Sequence, residues 1–448
     1  MIRRTRHRRP WISLIAAIVA ATLITCGVEA SVAFIPTQVP TVLPSPIVPP
    51  IARASGGARA GQSVPATPTP PGSWNPTAPP GQPRSSHVAV LLQDGRVLVA
   101  GGSLPTGLFR ALGGRILGIT GRQGGDALAS TEIYDPDSET WSDAGALATP
   151  RLNATATLLQ DGKVLVAGGE NGGDPLSSAE IFDPESETWS VLPDMASAHT
   201  LHTATLLPDG RVMIAAGNQG DLSARIDTGP VDAGAVEFFD PEAMAWSSGP
   251  PLPQGPLQID GTRVRHAAVL LDESHVLVSG GLAPDGRDFN ALQTALLLDL
   301  EIMEWTAIDA MVTRRQGHAL TGLPGGRILA SGGASQNPRS EIYYPDEDIW
   351  RPSGTNSLIR EGPSVTVLAD GRVIMVGGRS SFRQLDSSEI FDLGTEEWSL
   401  IPAMSERRLA NTATTLADGR VLVVGGAAFT ENRRLENSAT AEIYDPEG

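Results

Sequence analysis

The stretch Gly95-Arg96-Val97-Leu98-Val99-Ala100-Gly101-Gly102 decides the fold, because close copies of it recur along the chain. The other six copies occupy residues 162–169, 210–217, 274–281, 326–333, 371–378 and 419–426. A short apolar, β-branched run between turn residues is typical of a β-strand. Similarity at intervals of about 50 residues indicates a repeat architecture in which each copy is one supersecondary unit.

The sequence on either side of this stretch is repeated as well. Before it, an alternating apolar run ends in a turn such as Gln93-Asp94-Gly95, and an Asp-Gly pair between two β-rich runs favours a tight hairpin. After a gap of variable length come a third run, Glu132-Ile133-Tyr134-Asp135-Pro136 in the first copy, and then a tryptophan. The tryptophans of the first six copies are Trp141, Trp189, Trp246, Trp305, Trp350 and Trp398. Each unit therefore predicts four short strands.

Four strands per unit, with a glycine pair after the second strand, an aromatic residue on the third and a tryptophan on the fourth, resemble the kelch repeat. The resemblance covers residues 72–448 and implies an all-β fold, a seven-bladed β-propeller of four-stranded antiparallel blades. The seventh unit reaches Gly448 before any tryptophan, whereas Trp74 precedes the first unit. We therefore expect the segment around Trp74 to supply the outermost strand of the last blade and to close the ring.

Residues 1–30 are typical of an export signal, with several arginines, an apolar run from Trp11 to Ile24 and small residues after it. Cleavage after Ala30 is one expectation. Cys26 lies in a sequence that resembles a lipobox and is a candidate for lipidation, and an uncleaved membrane anchor is the third option. Residues 31–71, rich in Pro, Ala and Thr, predict a disordered linker. We expect a secreted or extracytoplasmic body that meets a membrane only through this N-terminal segment.

The composition excludes several classes of protein. The 448 residues carry 33 basic and 50 acidic side chains, a formal net charge of −17, which disfavours binding to nucleic acid. A single cysteine excludes an intramolecular disulfide and a zinc site built from several cysteines. We expect a monomer whose stability comes from an apolar core.

The connections between strands fall on two faces, because neighbouring strands run in opposite directions. The turn face carries the first-to-second and third-to-fourth connections, which are short Asp-Gly and Asp-Pro turns. The loop face carries the second-to-third and fourth-to-first connections, which vary from a few residues after Gly333 to a long stretch after Gly102. Variable loops usually form the binding surface of a repeat protein, so function is predicted on the loop face. On the turn face, basic residues such as Arg96 are predicted to pair with the aspartate that ends the third strand, such as Asp135.

One basic residue precedes the first strand of every unit on the loop face. The seven residues at this position, which we call the ring residues, are Arg84, Arg151, His199, Arg263, Arg315, Arg360 and Arg408. Guanidinium groups suit carboxylates, phosphates and sulfates, and the resemblance implies that this position borders the ligand-binding surface. The ring residues are therefore predicted to bind a ligand, either a protein or an anionic glycan. The alternative is structural: each would bridge to carbonyls of a neighbouring blade or to a third-strand acid such as Glu132.

Residues for catalysis are few. Copper radical oxidases resembling galactose oxidase need a tyrosine cross-linked to a cysteine, and residues 72–448 contain no cysteine, which excludes that activity. Loop carboxylates could serve sugar chemistry, as the kelch-type sialic acid mutarotases show for this architecture. One further set shares a repeat position and could converge on the channel: His87, His202, His266 and His318. No spacing singles out a catalytic set, so the sequence predicts no cofactor and no metal. It favours an extracytoplasmic binding module over a carbohydrate-active enzyme or a structural envelope component.

Overall fold

The computed structural model describes residues 72–104, 111–112, 115–116, 127–217, 234–253, 263–285, 288–334, 336–381, 383–430 and 435–448. The predicted export signal with Cys26 and the predicted linker 31–71 lie outside these residues. The described part contains seven four-stranded antiparallel sheets, which confirms the predicted all-β, seven-bladed propeller. In the same residues the only helix is a 3₁₀ turn, Pro345–Glu347, and no helix is long and apolar enough to cross a bilayer.

Each blade contains four strands. The first strands are Val88–Leu91, Thr155–Leu158, Thr203–Leu206, Ala267–Asp272, Ala319–Leu323, Ser364–Val367 and Thr412–Thr415. The second strands are Val97–Ala100, Val164–Ala167, Val212–Ala215, His275–Ser279, Arg327–Ser331, Val373–Val376 and Val421–Val424. The third strands are Ser130–Asp135, Ala179–Asp183, Val236–Asp240, Ala295–Asp299, Arg339–Tyr344, Ser388–Asp392 and Ala441–Asp445. The fourth strands are Thr140–Ala146, Thr188–Val191, Ala245–Ser248, Glu304–Ile308, Ile349–Thr355, Glu397–Ile401 and, in blade seven, Ser73–Thr77.

The blades follow one another in a closed ring. The first strand of each blade contacts the first strand of the next, and the first strand of blade seven contacts that of blade one. Ser73–Thr77 pairs antiparallel with Ala441–Asp445, with Trp74 opposite Tyr444. The two ends of the propeller sequence therefore lie in one sheet, and every blade has two neighbours.

Short two-stranded ribbons extend from the second-to-third connections on the loop face. The five ribbons pair Ala111–Leu112 with Arg115–Ile116, Glu170–Asn171 with Asp174–Pro175, Leu282–Asp285 with Asp288–Ala291, Arg379–Ser380 with Arg383–Gln384, and Ala427–Phe429 with Leu435–Asn437. The loop face therefore differs from blade to blade, whereas the four-stranded sheets repeat.

The apolar core lies between neighbouring blades. Seven apolar clusters join successive pairs of blades, and the cluster between blades one and two includes Leu98, Ile133, Val164 and Phe182. The second strand is buried on both faces, so its sequence is a continuous apolar run and not an alternating one. Each fully buried aliphatic side chain stabilises the fold by roughly 1.5–3 kcal/mol relative to an exposed one.

The tryptophan of the fourth strand ties one blade to the preceding one. In blade five, the ring of Trp350 packs on Tyr343 with 5.1 Å between ring centroids. The Trp350 indole N–H donates to the carbonyl oxygen of Asp309, in the connection from blade four, at 3.0 Å. The indole N–H groups of Trp74, Trp246 and Trp305 donate equivalent hydrogen bonds to backbone carbonyl oxygens. The repeated tryptophan is thus a structural side chain.

The glycine pair after the second strand allows two blades to approach closely. The Gly102 N–H donates to the Arg151 carbonyl oxygen of the next blade at 2.8 Å. A Cβ atom at Gly101 would lie 2.5 Å from that same oxygen, and the Gly101 φ of 65° is in the left-handed region. Any larger residue at this position would force the blades apart, because backbone atoms occupy the space.

Of the cross-strand pairs predicted on the turn face, His275 Nε2 lies 4.0 Å from Asp299 Oδ2 in blade four, whereas Arg96 of blade one has other partners. Arg96 pairs with Asp94 of its own turn at 2.8 Å and with Glu187 of the next blade at 2.6 Å. Asp135 accepts hydrogen bonds from the N–H groups of Asp137 and Ser138. The prediction of an Arg96–Asp135 pair was wrong because a short aspartate side chain reaches the N–H groups two and three residues ahead and caps its own turn.

Candidate functional site

The seven ring residues lie in the interior of their blades. All are between 0% and 2% exposed. In blade six, Nη1 of Arg360 donates to the carbonyl oxygens of Gly377 and Ser387 at 3.0 and 2.8 Å. Nε and Nη2 of Arg360 donate to Oε1 of Glu389 at 2.9 and 2.7 Å. The guanidinium therefore links the start of the first strand to the ends of the second and third strands.

A glutamate of the third strand is the partner in five blades. The pairs are Arg84–Glu132, Arg151–Glu180, Arg315–Glu341, Arg360–Glu389 and Arg408–Glu442. The carboxylates also hold the connection from the preceding blade, as Glu180 accepts the N–H groups of Ala148 and Thr149 at 2.7 and 3.1 Å. Burial lowers the pKa of the Arg84, Arg151, Arg315 and Arg360 guanidinium groups, and their glutamates oppose this shift.

Blade three has a histidine at the ring position. Nδ1 of His199 lies 2.7 Å from the Ala216 carbonyl oxygen, and Nε2 lies 3.1 Å from Oε1 of Glu237. The two ring nitrogens thus contact a carbonyl at the end of the second strand and a third-strand carboxylate, as the guanidinium groups do in other blades. Burial raises the pKa of Glu237, but the hydrogen bonds from His199, Ala196 and Ser197 outweigh burial and leave it below its ordinary value.

Blade four has Leu296 at the position that holds glutamate in the other blades. Arg263 in this blade donates from Nη1 to Gly280 O at 3.4 Å and from Nη2 to Thr294 Oγ1 at 3.3 Å. The ring residue is thus buried in every blade, although its partner changes. This placement favours the structural alternative over the predicted ligand-binding role, because the surrounding blade encloses the charged groups. The sequence shows that the cation recurs, but only packing shows that it is covered.

The four histidines considered for catalysis bridge neighbouring blades: three contact a first-strand threonine, and His318 contacts Ser279 of a second strand. Nε2 of His87 lies 3.0 Å from Thr412 Oγ1, and the equivalent pairs are His202–Thr155, His266–Thr203 and His318–Ser279. These histidines are between 5% and 7% exposed. Burial, with a smaller contribution from nearby arginines, lowers the pKa of His87, His266 and His318 to about 3. The set therefore consists of neutral side chains that join blades.

A continuous backbone feature surrounds the axis at the loop face. Two positions after each ring residue, the backbone is left-handed, with φ between 55° and 58°. These residues, which we call the collar, are Ser86, Asn153, Leu201, Arg265, Gly317, Gly362 and Ala410. Their N–H groups donate to the collar carbonyl of the preceding blade in five described cases, at 2.7 to 3.2 Å. Because a left-handed backbone costs a non-glycine residue roughly 1 kcal/mol or more, the hydrogen bonds must hold it in place.

Arg265 is the long, charged side chain of the collar. It is half-buried, and its Nη1 donates to Gln316 Oε1 at 3.5 Å. Burial lowers its pKa to about 10, while Glu361 and Glu170 raise it and Arg379 lowers it. Those three charges belong to blades two and six, and Arg265 belongs to blade four. The Arg265 guanidinium is therefore within electrostatic range of blades two and six.

The other charged residues of this site sit beside the collar. Glu361 and Arg379 of blade six form an ion pair and also exchange backbone hydrogen bonds at 2.8 and 2.9 Å. Glu170 of blade two is 4% exposed and accepts a hydrogen bond from Asn153 Nδ2 at 3.0 Å. Burial raises the Glu170 pKa to about 7, although Asn153 and Arg265 act in the opposite direction. We call Glu170, Arg265, Glu361 and Arg379 the mouth cluster.

The mouth cluster was not predicted from the sequence, because its residues do not recur from blade to blade. The available signal was this absence of recurrence. Immediately after the glycine pair, blades one, four, five and seven have Ser103, Leu282, Ala334 and Ala427, whereas blades two and six have Glu170 and Arg379. A charge that breaks the repeat on the loop face was therefore visible in the sequence.

The described residues contain no group of three His, Cys, Asp or Glu side chains that could hold a metal ion. Tyr134, Tyr343 and Tyr444 are 0% to 2% exposed and pack inside blades against tryptophans. The chemistry available at the mouth cluster is therefore that of two carboxyl groups and two guanidinium groups.

Comparison with known proteins identifies a Kelch motif at residues 151–196. The chain is 22% identical over 173 residues to Kelch-like protein 41a of Danio rerio, which covers 38% of this chain and 27% of the relative. It is 27% identical over 181 residues to Kelch-like protein 34 of Homo sapiens, which covers 39% of this chain and 26% of the relative. The matches thus span about a quarter of the length of these relatives.

Two solved structures are similar in fold. A fungal alcohol oxidase of the AA5 family in complex with copper aligns with a TM-score of 0.62 at 18% identity, over 84% of this chain and 76% of the oxidase chain. YjhT aligns with a TM-score of 0.52 at 13% identity, over 73% of this chain and 99% of its own. At these identities the likeness shows the fold alone. The Kelch motif, the kelch-like relatives and the seven four-stranded blades together fit the kelch propeller family.

Proposed function

We propose that this protein is an extracytoplasmic kelch-type binding module whose loop face, centred on the mouth cluster, binds a partner protein. Kelch propellers commonly bind proteins, and the Kelch motif and kelch-like relatives support this general role. The export signal predicted for residues 1–30 supports the location. Ring closure by the chain's own strand supports action as a monomer.

The observation that carries the proposal is the contrast between the two faces. On the turn face, the same aspartate turn recurs in blade after blade, as at Asp94, Asp209, Asp370 and Asp418. On the loop face, ribbons of different length surround charged residues that occur in some blades only. A surface that recognises one partner has to depart from sevenfold repetition, because the partner itself does not repeat.

An anionic glycan is the second candidate partner, because Arg265 places a cation at the collar. The alternative of a carbohydrate-active enzyme gains no comparable support. Its histidine set is used in contacts between blades, and the likeness to an alcohol oxidase concerns the fold.

Two matched surface variants test the proposal. Val312 lies in a fourth-to-first connection on the loop face and is 61% exposed, whereas Ile302 lies in a third-to-fourth turn and is 63% exposed. The full chain and its Val312→Asp and Ile302→Asp variants would be immobilised, and the proteins retained from an envelope extract of the source cells compared by quantitative mass spectrometry. We expect one retained protein to be lost with Val312→Asp and kept with Ile302→Asp. Equal retention by both variants, or loss with Ile302→Asp alone, would contradict a loop-face site.

A further inference from the structure

We propose that the channel mouth is a carboxylate-binding site in which Arg265 is the receptor cation, an inference that rests on the proposed loop-face function. The ligand is a molecule or partner segment that presents a single carboxylate to the loop face at the axis.

The contacts of Arg265 differ from those of the ring arginines. Among the described residues, no carboxylate oxygen lies within the 4.0 Å that defines an ion pair around Arg265, and its side chain makes one long hydrogen bond of 3.5 Å. By contrast, Arg360 makes five hydrogen bonds to protein acceptors. A guanidinium group has five N–H donors, and leaving them unused in a partly desolvated place costs free energy. A ligand acceptor would recover that loss.

The charge balance of the mouth cluster favours a group with one negative charge. Arg379 and Glu361 neutralise each other in a direct ion pair, so Arg265 is the cation that remains. Among the described residues, the acid of the cluster left without an arginine in direct contact is Glu170, and its carboxylate would repel a dianion such as phosphate or sulfate more strongly than a group with one charge. A carboxylate carries one charge and matches the planar fork of a guanidinium through two parallel hydrogen bonds.

The collar residues of blades five and six, which follow Arg265 around the axis, are glycines. Gly317 and Gly362 occupy the collar positions there, and a Cβ at Gly317 would lie 3.8 Å from its nearest neighbour. A Cβ at Gly362 would lie 3.6 Å from Leu409. Both are ordinary van der Waals distances, and because glycine has no side chain, neither position contributes a side chain to the channel mouth.

Glu170 couples this site to pH. The charged groups that face Glu170 from the other blades are Arg265 and, beyond it, Glu361 and Arg379. The Glu170 pKa is about 7, so its carboxyl group changes charge near neutral pH. A bound carboxylate would raise this pKa further by like-charge repulsion. Binding would then take up a proton at neutral pH, and the ligand would bind more tightly as the pH falls. For one proton and a shift of about 1.5 units, affinity should be roughly eightfold higher at pH 6 than at pH 8.

Titration calorimetry with two matched pairs of probes tests the site on the full chain. In the first pair, sodium glucuronate is the small carboxylate probe and glucose is its neutral match. A peptide containing glutamates against the same peptide with glutamines represents a partner segment. We expect binding of glucuronate, of the glutamate peptide or of both, and no binding of the neutral matches. The probe that binds distinguishes the two sources of the carboxylate.

Three variants assign the binding to named residues. Arg265→Gln should weaken binding at least tenfold, and Arg265→Lys should weaken it less, because the charge stays but the fork is lost. Arg211→Gln, on the turn face, is the matched control and should bind as the wild type does. Glu170→Gln should abolish both the proton uptake, measured in buffers of different ionisation enthalpy, and the dependence of affinity on pH.

Two results would overturn the proposal: equal binding by Arg265→Gln and wild type, or equal binding of the charged and neutral probes. Failure of all probes to bind at millimolar concentration would overturn it as well. The broader function is judged separately, by capture with Val312→Asp and Ile302→Asp. If that contrast holds while Arg265→Gln retains the partner fully, the loop-face function stands and the carboxylate site is rejected.

Discussion

Arg360 and Arg265 carry the same charged group near the same end of the propeller, but they play opposite parts. Arg360 is 2% exposed and is paired with Glu389, as its counterparts are with their own glutamates in four other blades. Arg265 occurs at its position in one blade, is half-buried, and has no carboxylate in contact among the described residues. The recurring charge is enclosed by its blade, whereas the charge that occurs once is left without such a partner among the described residues.

The largest expected effect follows from breaking a ring pair. Arg360→Ala would leave the buried carboxylate of Glu389 without its cation, and such a change costs about 3–5 kcal/mol. The free energy of unfolding from urea titration of the full chain measures it. Arg351→Ala is the control, because its pair with Glu347 has side-chain exposures of 45% and 52%, and it should cost about 0.5 kcal/mol or less. Similar losses for both variants would mean that the ring pair is not structural.

The second effect concerns the histidines between blades. His87, His266 and His318 have a pKa near 3 in the folded protein, against an ordinary value of 6.5. Below pH 6.5 the unfolded chain therefore binds more protons, so stability that is present above pH 6.5 is lost as the pH falls toward 3. His266→Asn introduces the residue found at this position in blade seven. It should reduce the slope of the free energy of unfolding against pH by up to about 1.4 kcal/mol per pH unit.

The control for this second effect is His275→Asn on the turn face, where the imidazole is 32% exposed. Urea titrations at several pH values between 4 and 7 would compare the three proteins. An unchanged slope in His266→Asn would show that this histidine does not link stability to pH.

A smaller effect is expected from making blade three resemble the others. His199→Arg places the usual ring residue opposite Glu237, and the free energy of unfolding should change by about 1 kcal/mol or less because the cation and its partner are kept. His199→Ala, by contrast, leaves Glu237 buried and unpaired. If His199→Arg destabilised the protein as much as His199→Ala, the ring position would not be a general site for a structural cation.

The smallest effect on stability is expected at Arg265 itself. Arg265→Gln removes no ion pair with any residue that the structure describes and relieves a partly desolvated charge, so the free energy of unfolding should stay within about 0.5 kcal/mol of the wild type or rise slightly. The measurement is thermal unfolding of the Arg265→Gln and Arg360→Gln variants, which differ in position but carry the same substitution. A large loss from Arg265→Gln would place it among the structural arginines.

Much of the fold was predictable because the features that build a blade are local and recur. The glycine pair, the aspartate turns and the tryptophan all appear at fixed places in each unit, and each meets the same packing requirement in every blade. The site was less predictable. Recurrence made the ring residues conspicuous in the sequence, but it was itself the mark of their structural role.

The turn-face pairs show the same limit on a smaller scale. The register of the strands correctly brings Arg96 and Asp135 to the same edge of the sheet, yet Arg96 pairs with Asp94 and Glu187. A short side chain contacts the nearest donors. The strand pattern does not predict which of several partners is nearest when their distances differ by an ångström or two.

The sequence by itself determined the number of blades, the order of their strands and the division into a uniform and a variable face. These follow from the alternation of strand direction and from the turn residues, which act over a few positions. The tertiary structure alone decided which charges are covered. Arg263 and Arg265 are two positions apart in the chain, but one is enclosed by its blade and the other is half-buried and within electrostatic range of blades two and six. That difference arises from closing the ring, which brings together residues that are distant in the sequence.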